Sequence, residues 1–474
     1  MLYFWAALEK NAPFILNLGF TMILARLIAP EVYGIVAMTA IFTALGTVIL
    51  NSGFGAALIQ RKSISDDDTT SVFIANVFLG SVVTTVLIAF AAPIAEFFQR
   101  PELVQVIWVN AATLFLAAFA IIQNTIMQKR FLFKKGLVIE VLATIAAGIV
   151  AVSLAYQGYS LWALLALILV RQLAQTLLLW VLIRWRPTGS FSFESLRSLW
   201  RFARHMIGAS LYHHFSTNLV SVLLAKFYSA TTLGLFARAQ SLRMLPESLI
   251  VGPVQRVAFP LFSQYQDDFI QLVGNLRGQC RNLAIIAGML TAGVFCCARE
   301  MVLILVGDGW VESIPMLEVL SWAIFASILF PLHSEANKAI GESTWFFWVE
   351  IVKKTALVIG VTIGVLQGVQ PLLWILVALS VVDYVLSASS SVRFLNYTIV
   401  QQAADILPAL ALTGIAAYLG SHVLELFGEV NLFSALLIKG ATVLLVFTIA
   451  VLVFGIQFFP NLQKKLFARM KEQA

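Results

Sequence analysis

Long apolar runs, separated by short polar connections, dominate this chain. A bilayer's hydrocarbon core is about 30 Å thick, and a helix rising about 1.5 Å per residue needs roughly 20 apolar residues to cross it. About fourteen such spans can be counted. The first six are Leu2–Ile28, Tyr33–Ile59, Thr70–Phe98, Val104–Met127, Leu137–Tyr156 and Ser160–Ile183. The next six are Phe202–Phe227, Thr232–Phe262, Cys280–Val306, Ile314–Ile340, Trp345–Leu366 and Pro371–Asn396; Ala403–Leu426 and Leu432–Phe459 follow. The runs are continuous rather than alternating, which excludes a transmembrane β-barrel. Composition agrees: 60% of the 474 residues are hydrophobic and 12% charged. A soluble domain averages about 45–50% apolar and about 25% charged. A soluble or disordered chain is therefore excluded. The N-terminus lacks a basic stretch and a small-residue cleavage site, and is read as the first membrane helix. The longest connection, Arg184–Arg201, is too short for an extramembrane domain.

Lys and Arg number 31 against 24 Asp and Glu, a net charge of +7. In a soluble protein this excess would suggest nucleic acid; here its distribution follows the positive-inside rule and no nucleic-acid partner is expected. With a cytoplasmic N-terminus, the connections holding Arg61 and Lys62, Lys129 to Lys135, Arg184 to Arg201, Arg277, Lys338 and Arg393 all lie inside, as does the tail with Lys464, Lys465, Arg469 and Lys471. The opposite side keeps Arg100, Lys226 and Arg299. Both termini are thus expected in the cytoplasm. Cys280, Cys296 and Cys297 have neither disulfide-framework nor metal-ligand spacing, so no metal or cofactor is expected.

Adding 200 maps Leu24, Ala25, Arg26, Gly34 and Ala37 onto Leu224, Ala225, Lys226, Gly234 and Ala237. Leu137–Glu140 resembles Phe347–Glu350 at an offset of 210. These matches indicate an internal duplication. Six helices per repeat make the repeats parallel. The expected organisation is a six-helix bundle over 1–190, its repeat over 191–400, and two further helices with a basic tail over 401–474.

Polar residues inside the spans mark candidate sites, because a charge at a helix centre costs about 2.5–3.5 kcal/mol on insertion scales. Ser210, His213, His214, Thr217 and Ser221 share one face of the seventh span. Lys10, Asn17 and Thr21, beside Glu9, form the equivalent stripe on the first. Both are read as lining a wet cavity, with hydrogen bonding between helices as the alternative. The eighth span carries Arg238, Arg243, Glu247 and Arg256 among Pro246, Pro253 and Pro260, and is read as a bent, cation-bearing helix facing an anionic substrate. The alternative is an Arg243–Glu247 structural pair. Arg171 sits mid-span and needs a carboxylate from another helix; Glu9, Arg171 and His213 are the candidates for coupling to an ion gradient. Glu140, Glu350, Lys353 and Lys354 are read as interfacial, and Asp66–Asp68 as a solvated turn. No P-loop, metalloprotease or nucleophile-elbow motif is present, so the chain is not read as an enzyme.

The segments Leu24–Met38, Gly53–Lys62, Gln128–Lys135, Gly158–Ala163 and Arg256–Ser263 resemble the bacterial polysaccharide transporters, the Wzx-type oligosaccharide flippases, with the colanic-acid exporter branch nearest. Their superfamily includes the MATE exporters and the lipid II flippase MurJ. The resemblance implies two six-helix bundles in a V plus two C-terminal helices, working by alternating access in the bacterial inner membrane. It implies an undecaprenyl-diphosphate-linked oligosaccharide as substrate, with membrane lipids, a polysaccharide polymerase and a co-polymerase as partners. On this reading Lys10, Asn17, His213, His214, Arg238, Arg243 and Glu247 contact the substrate. The arginine cluster of the MurJ branch is absent from the first span, where Pro13, Phe14 and Phe20 stand. A MATE-like cation-coupled antiporter is the alternative, and Arg238, Arg243 and Lys10 speak against its acidic cavity.

Overall fold

The computed structural model describes residues 2–51, 54–61, 64–428 and 430–454. Among these there are nineteen α-helices, two short 3-10 helices and no strand. In chain order they are α1 (Leu2–Leu27), α2 (Pro30–Met38), α3 (Ala40–Asn51), α4 (Phe54–Gln60), α5 (Asp66–Phe98), α6 (Leu103–Ala118) and α7 (Ile121–Lys129). Then come α8 (Phe133–Tyr156), α9 (Ser160–Ile183), α10 (Phe193–Phe227), α11 (Ala230–Ser263), α12 (Phe269–Cys296) and α13 (Ala298–Leu305). The last are α14 (Ile314–Ser321), α15 (Ala323–Ala339), α16 (Ser343–Gln367), α17 (Val369–Leu395), α18 (Ile399–His422) and α19 (Leu432–Phe454).

Seven helices are long and apolar enough to cross a membrane, or up to ten if each bent pair is one span. The bent pairs are α2 with α3 (42°), α6 with α7 (45°), and Asp308–Ser321 with α15 (40°). α1, α10, α11 and α16 hold the remaining expected spans and carry the charges that lower their apolarity. Residues 455–459 of the last expected span lie outside the described residues.

A break inside a membrane frees backbone carbonyls that must find donors within the protein. At the α6–α7 break, Trp180 Nε1 of α9 donates to Phe119 O (3.0 Å) and Thr176 Oγ1 donates to Leu116 O (3.2 Å). At the α2–α3 break, Thr39 Oγ1 donates to Val36 O and accepts from buried Asn110 Nδ2, each at 2.8 Å. Along α5, Ile74, Phe78, Val82, Val86 and Phe90 recur every four residues and are exposed, while Gly80, Val83, Leu87, Ala91 and Ala95 are buried. The exposed stripe suits lipid and the small-residue face suits helix packing.

Two compact units, Met1–Ala237 and Arg238–Ala474, hold the contacts. In the first, α8 lies against α1 and α9. Its buried Ala143, Ala147, Ala151 and Ala155 allow close approach. Gly148 sits so close to the Phe20 ring that a Cβ there would stand 2.4 Å from it.

The acidic turn is solvated at Asp66 and Asp67, which are exposed, but not at Asp68, which is buried. Ser65 Oγ accepts from Asp68 N (3.0 Å) and Asp68 Oδ2 accepts from Ser65 N (3.2 Å), a capping box that starts α5 four residues before the expected span. Asp68 also pairs with Arg61 at 3.0 Å. The connection between the sixth and seventh spans is shorter than expected, because α10 already begins at Phe193, where the Ser192 hydroxyl accepts from Ser195 N. That connection is strapped onto the first turns of α5. Ser190 N donates to Asp67 Oδ1 (2.6 Å), Gly189 N to Thr70 Oγ1 (3.1 Å) and Ser192 N to Ser71 Oγ (2.7 Å).

Helix bounds recur at the same offset. α1 ends at Leu27 and α10 at Phe227; α2 begins at Pro30 and α11 at Ala230. Gly158 and Gly368, 210 apart, both take positive φ (88° and 123°) just before α9 and α17. The two helix starts also cross each other reciprocally. A Cβ at Gly34 would stand 1.8 Å from Ala230 O, and one at Gly234 would stand 2.0 Å from Pro30 O. Both obstacles are backbone and neither can rotate away.

In the second unit, α12 packs against α15, α18 and α19. Asp405, with a side chain only 1% exposed, receives Arg277 (2.7 Å), Arg281 (2.6 Å) and the Tyr397 hydroxyl (2.8 Å). Lys439 of α19 pairs with buried Glu300 of α13 at 2.8 Å. Lys353 is not interfacial as expected: it is 3% exposed, pairs with Glu350 at 2.8 Å and lies 4.9 Å from the Phe330 ring. All three cysteines are buried and free.

Gly34→Leu is expected to remove most of the monodisperse protein recovered by fluorescence-detected size exclusion, since overpacking typically costs about 1–3 kcal/mol. Gly414→Ala, with nothing within 4 Å of the new Cβ, should leave the profile unchanged.

Candidate functional site

The first unit encloses a cavity of about 610 Å³ among α1, α3, α4, α7, α8, α9 and α10. Helical spacing explains its polar wall. Residues four apart share a face, and several helices present such a pair: Thr47 and Asn51 from α3, Asn124 and Gln128 from α7, Ser210 and His214 from α10.

The carboxylates enter from α1 and α8. Glu9 lies against Gly136, where a Cβ would stand 1.9 Å from Glu9 Oε1, so a side chain there would make the carboxylate shift. One turn further along α8, Glu140 lines the cavity. Its Oε2 pairs with Arg171 Nη2 at 3.1 Å and its Oε1 accepts from Gln175 Nε2 at 2.5 Å. Arg171 thus finds its carboxylate on α8. Glu140 is accordingly a cavity residue rather than an interfacial one. It is held in place because a cation mid-span on α9 needs a counter-charge on a neighbouring helix.

The expected site residues divide between the units. Glu9 and His214 line the cavity, and Arg171 reaches it through Glu140. Asn17 on α1 and His213 on α10 do not line it. His213 is exposed, with its ring 5.4 Å from that of His214. The Lys10 side chain lies outside the described residues. In the second unit, buried Arg238 stacks over Trp310 at 4.8 Å, and Arg243 pairs with Glu247 at 3.2 Å, both mostly buried. α11 carries all three prolines within one helix. Among the described residues no group of three or more His, Cys, Asp and Glu is placed to hold a metal ion.

Residues 23–315 match the model of a family described as polysaccharide biosynthesis protein. The chain belongs to this family. Succinoglycan biosynthesis transport protein ExoT of Rhizobium meliloti (strain 1021) is 24% identical over 430 residues, 88% of this chain and 87% of that protein. Lipopolysaccharide biosynthesis protein WzxC of Escherichia coli (strain K12) is 28% identical over 324 residues, 67% of this chain and 65% of that one. Among solved structures, lipid II flippase MurJ in its inward closed conformation superposes over 96% of this chain and 99% of its own, with a TM-score of 0.75 and 13% identity. That likeness concerns the fold. It gives this member of the polysaccharide biosynthesis family the same all-helical fold.

The residues that sequence reading left out are the carboxamides Asn51, Asn124, Gln128 and Gln175. Their signal was present as polar pairs four apart within apolar helices, but none is charged and each pair alone is unremarkable. For the Glu140–Arg171 pair, thermal melting in detergent should show Arg171→Ala and Glu140→Ala each lowering stability by more than half the effect of the double variant. The expected coupling is about 0.5–3 kcal/mol; additive losses would mean the two side chains act separately.

Proposed function

We propose that this chain is a flippase that carries undecaprenyl-diphosphate-linked oligosaccharide repeat units across the bacterial inner membrane by alternating access. The observation that carries the reading is a polar cavity of about 610 Å³ walled by apolar helices, in a chain of the polysaccharide biosynthesis family. A sugar crossing hydrocarbon needs such a wall, because each hydroxyl stripped of water must be hydrogen-bonded again. The lipid tail needs no equivalent and can stay in the bilayer.

In this reading the repeats 1–190 and 191–400 alternate in exposing the substrate, both termini are cytoplasmic, and a polymerase with its co-polymerase takes the product. Arg238 and Arg243, with Lys10, neutralise the diphosphate. Asn17, His213, His214 and Glu247 complete the substrate contacts, and Glu9, Arg171 and His213 couple the step to an ion gradient. Small-molecule antiport is disfavoured by the family to which the chain belongs.

Deleting the gene should make lipid-linked oligosaccharide accumulate on the cytoplasmic side and abolish surface polymer. A normal lipid pool with normal polymer, once a redundant flippase is excluded, would move the antiporter reading to the front. Complementation with Arg243→Ala should give normal protein level but reduced export; unchanged polymer output would remove Arg243 from the site.

A further inference from the structure

The cavity of the first unit has a chemistry that a diphosphate would not choose. Among its described lining residues there is no lysine and no arginine. Glu140 is paired with Arg171, and Glu9 is the second acid on the wall. The rest of the polar lining is the carboxamides Asn51, Asn124, Gln128 and Gln175, threonine and serine hydroxyls, and the His214 imidazole. A carboxamide offers two N–H donors and a carbonyl acceptor, and a carboxylate only accepts. Sugar hydroxyls both donate and accept, so this wall matches them in number and kind. A volume of about 610 Å³ is of the size that encloses small organic ligands.

We infer that this cavity binds the sugar portion of the lipid-linked substrate and selects a neutral, hydroxyl-rich sugar over one bearing a carboxylate; this rests on the flippase reading above. The physical reason is a difference between two bound states. A neutral sugar places hydroxyls against the amides and donates one to Glu9. A uronic acid or other carboxylated sugar brings a negative charge to a wall that holds two acids and, among its described residues, no lysine or arginine, where protein and lipid screen that charge less than water does. Where the carboxylate replaces the hydroxyl that faces Glu9, it also removes a donor, and a site built for hydrogen bonding discriminates strongly against a ligand that leaves its groups unpaired. Gly136 leaves room for the Glu9 carboxylate in this position, which any side chain there would make shift.

The test uses the full chain in lipid nanodiscs and three synthetic probes: farnesyl diphosphate, the same lipid carrying glucose, and the same lipid carrying glucuronate. Binding of the glucose probe should be at least tenfold tighter than that of the glucuronate probe. Glu9→Gln should close most of that gap by improving the glucuronate probe. Asn124→Ala and Gln128→Ala should each weaken the glucose probe several-fold while leaving farnesyl diphosphate unchanged, which keeps the test open should Glu9→Gln fail to fold. Equal or tighter binding of the glucuronate probe would overturn the inference and leave the flippase reading standing. Glycosylated probes that bind no better than farnesyl diphosphate would also overturn it. Failure of all three probes to bind would count against both readings.

Discussion

Inside a bilayer a polar group has no water to fall back on, and every donor, acceptor and charge must be met by the protein itself. This constraint explains why the described chain is helical throughout, since a helix satisfies its own backbone. It also explains what happens where helices break: Trp180, Thr176 and Asn110 reach across from neighbouring helices to the polar groups at the bends. The ion pairs follow the same logic. Arg171 with Glu140, Lys353 with Glu350, Lys439 with Glu300, and Arg277 and Arg281 on Asp405 each settle a charge that would otherwise be stranded. Such pairs are weak sources of net stability, but removing one partner is costly. Those that join two helices, which excludes Lys353 with Glu350 inside α16, therefore act chiefly to determine which helix lies beside which.

The duplication gives the first unit a second organising feature. Two glycines 200 positions apart, Gly34 and Gly234, let two equivalent helix starts cross with the carbonyls of Ala230 and Pro30 in near contact. A side chain at either position would meet backbone. The strap from Gly189 to Ser192 then fastens the base of α10 to α5 within the first unit. Basic residues near this strap serve local structure. Arg61 pairs with Asp68 and donates to Ser198, and Lys129 donates to the carbonyls of Leu58 and Arg61.

Much of the fold was legible because membrane spans are written in continuous apolar runs, and the repeat because helix ends need particular residues at particular spacings. The helix starts were less legible. Asp66–Asp68 and Ser192 read as loop on hydropathy, yet capping chemistry draws them to the ends of α5 and α10. The site was legible only in part. Glu9 and His214 stand out as polar groups in apolar surroundings, and the structure brings them to one cavity. Glu140 and Lys353 sit near span ends, where interfacial placement is the cheaper assumption; only the packing of α8 on α9, and of α16 near Phe330, shows otherwise. The four carboxamides carry no charge, and their convergence from three helices depends on tertiary structure alone.

The central claim is that this scaffold moves a sugar-bearing lipid from one leaflet to the other. It is met most directly with the purified chain in unilamellar vesicles. The vesicles carry a fluorescent farnesyl-diphosphate-linked glucose in both leaflets, and the label in the outer leaflet is destroyed by an impermeant reductant. The account predicts that inner-leaflet probe becomes accessible at a rate proportional to the amount of protein, with ordinary phospholipid left in place. A rate equal to that of protein-free vesicles, across membrane potentials and pH gradients of either sign, would contradict it.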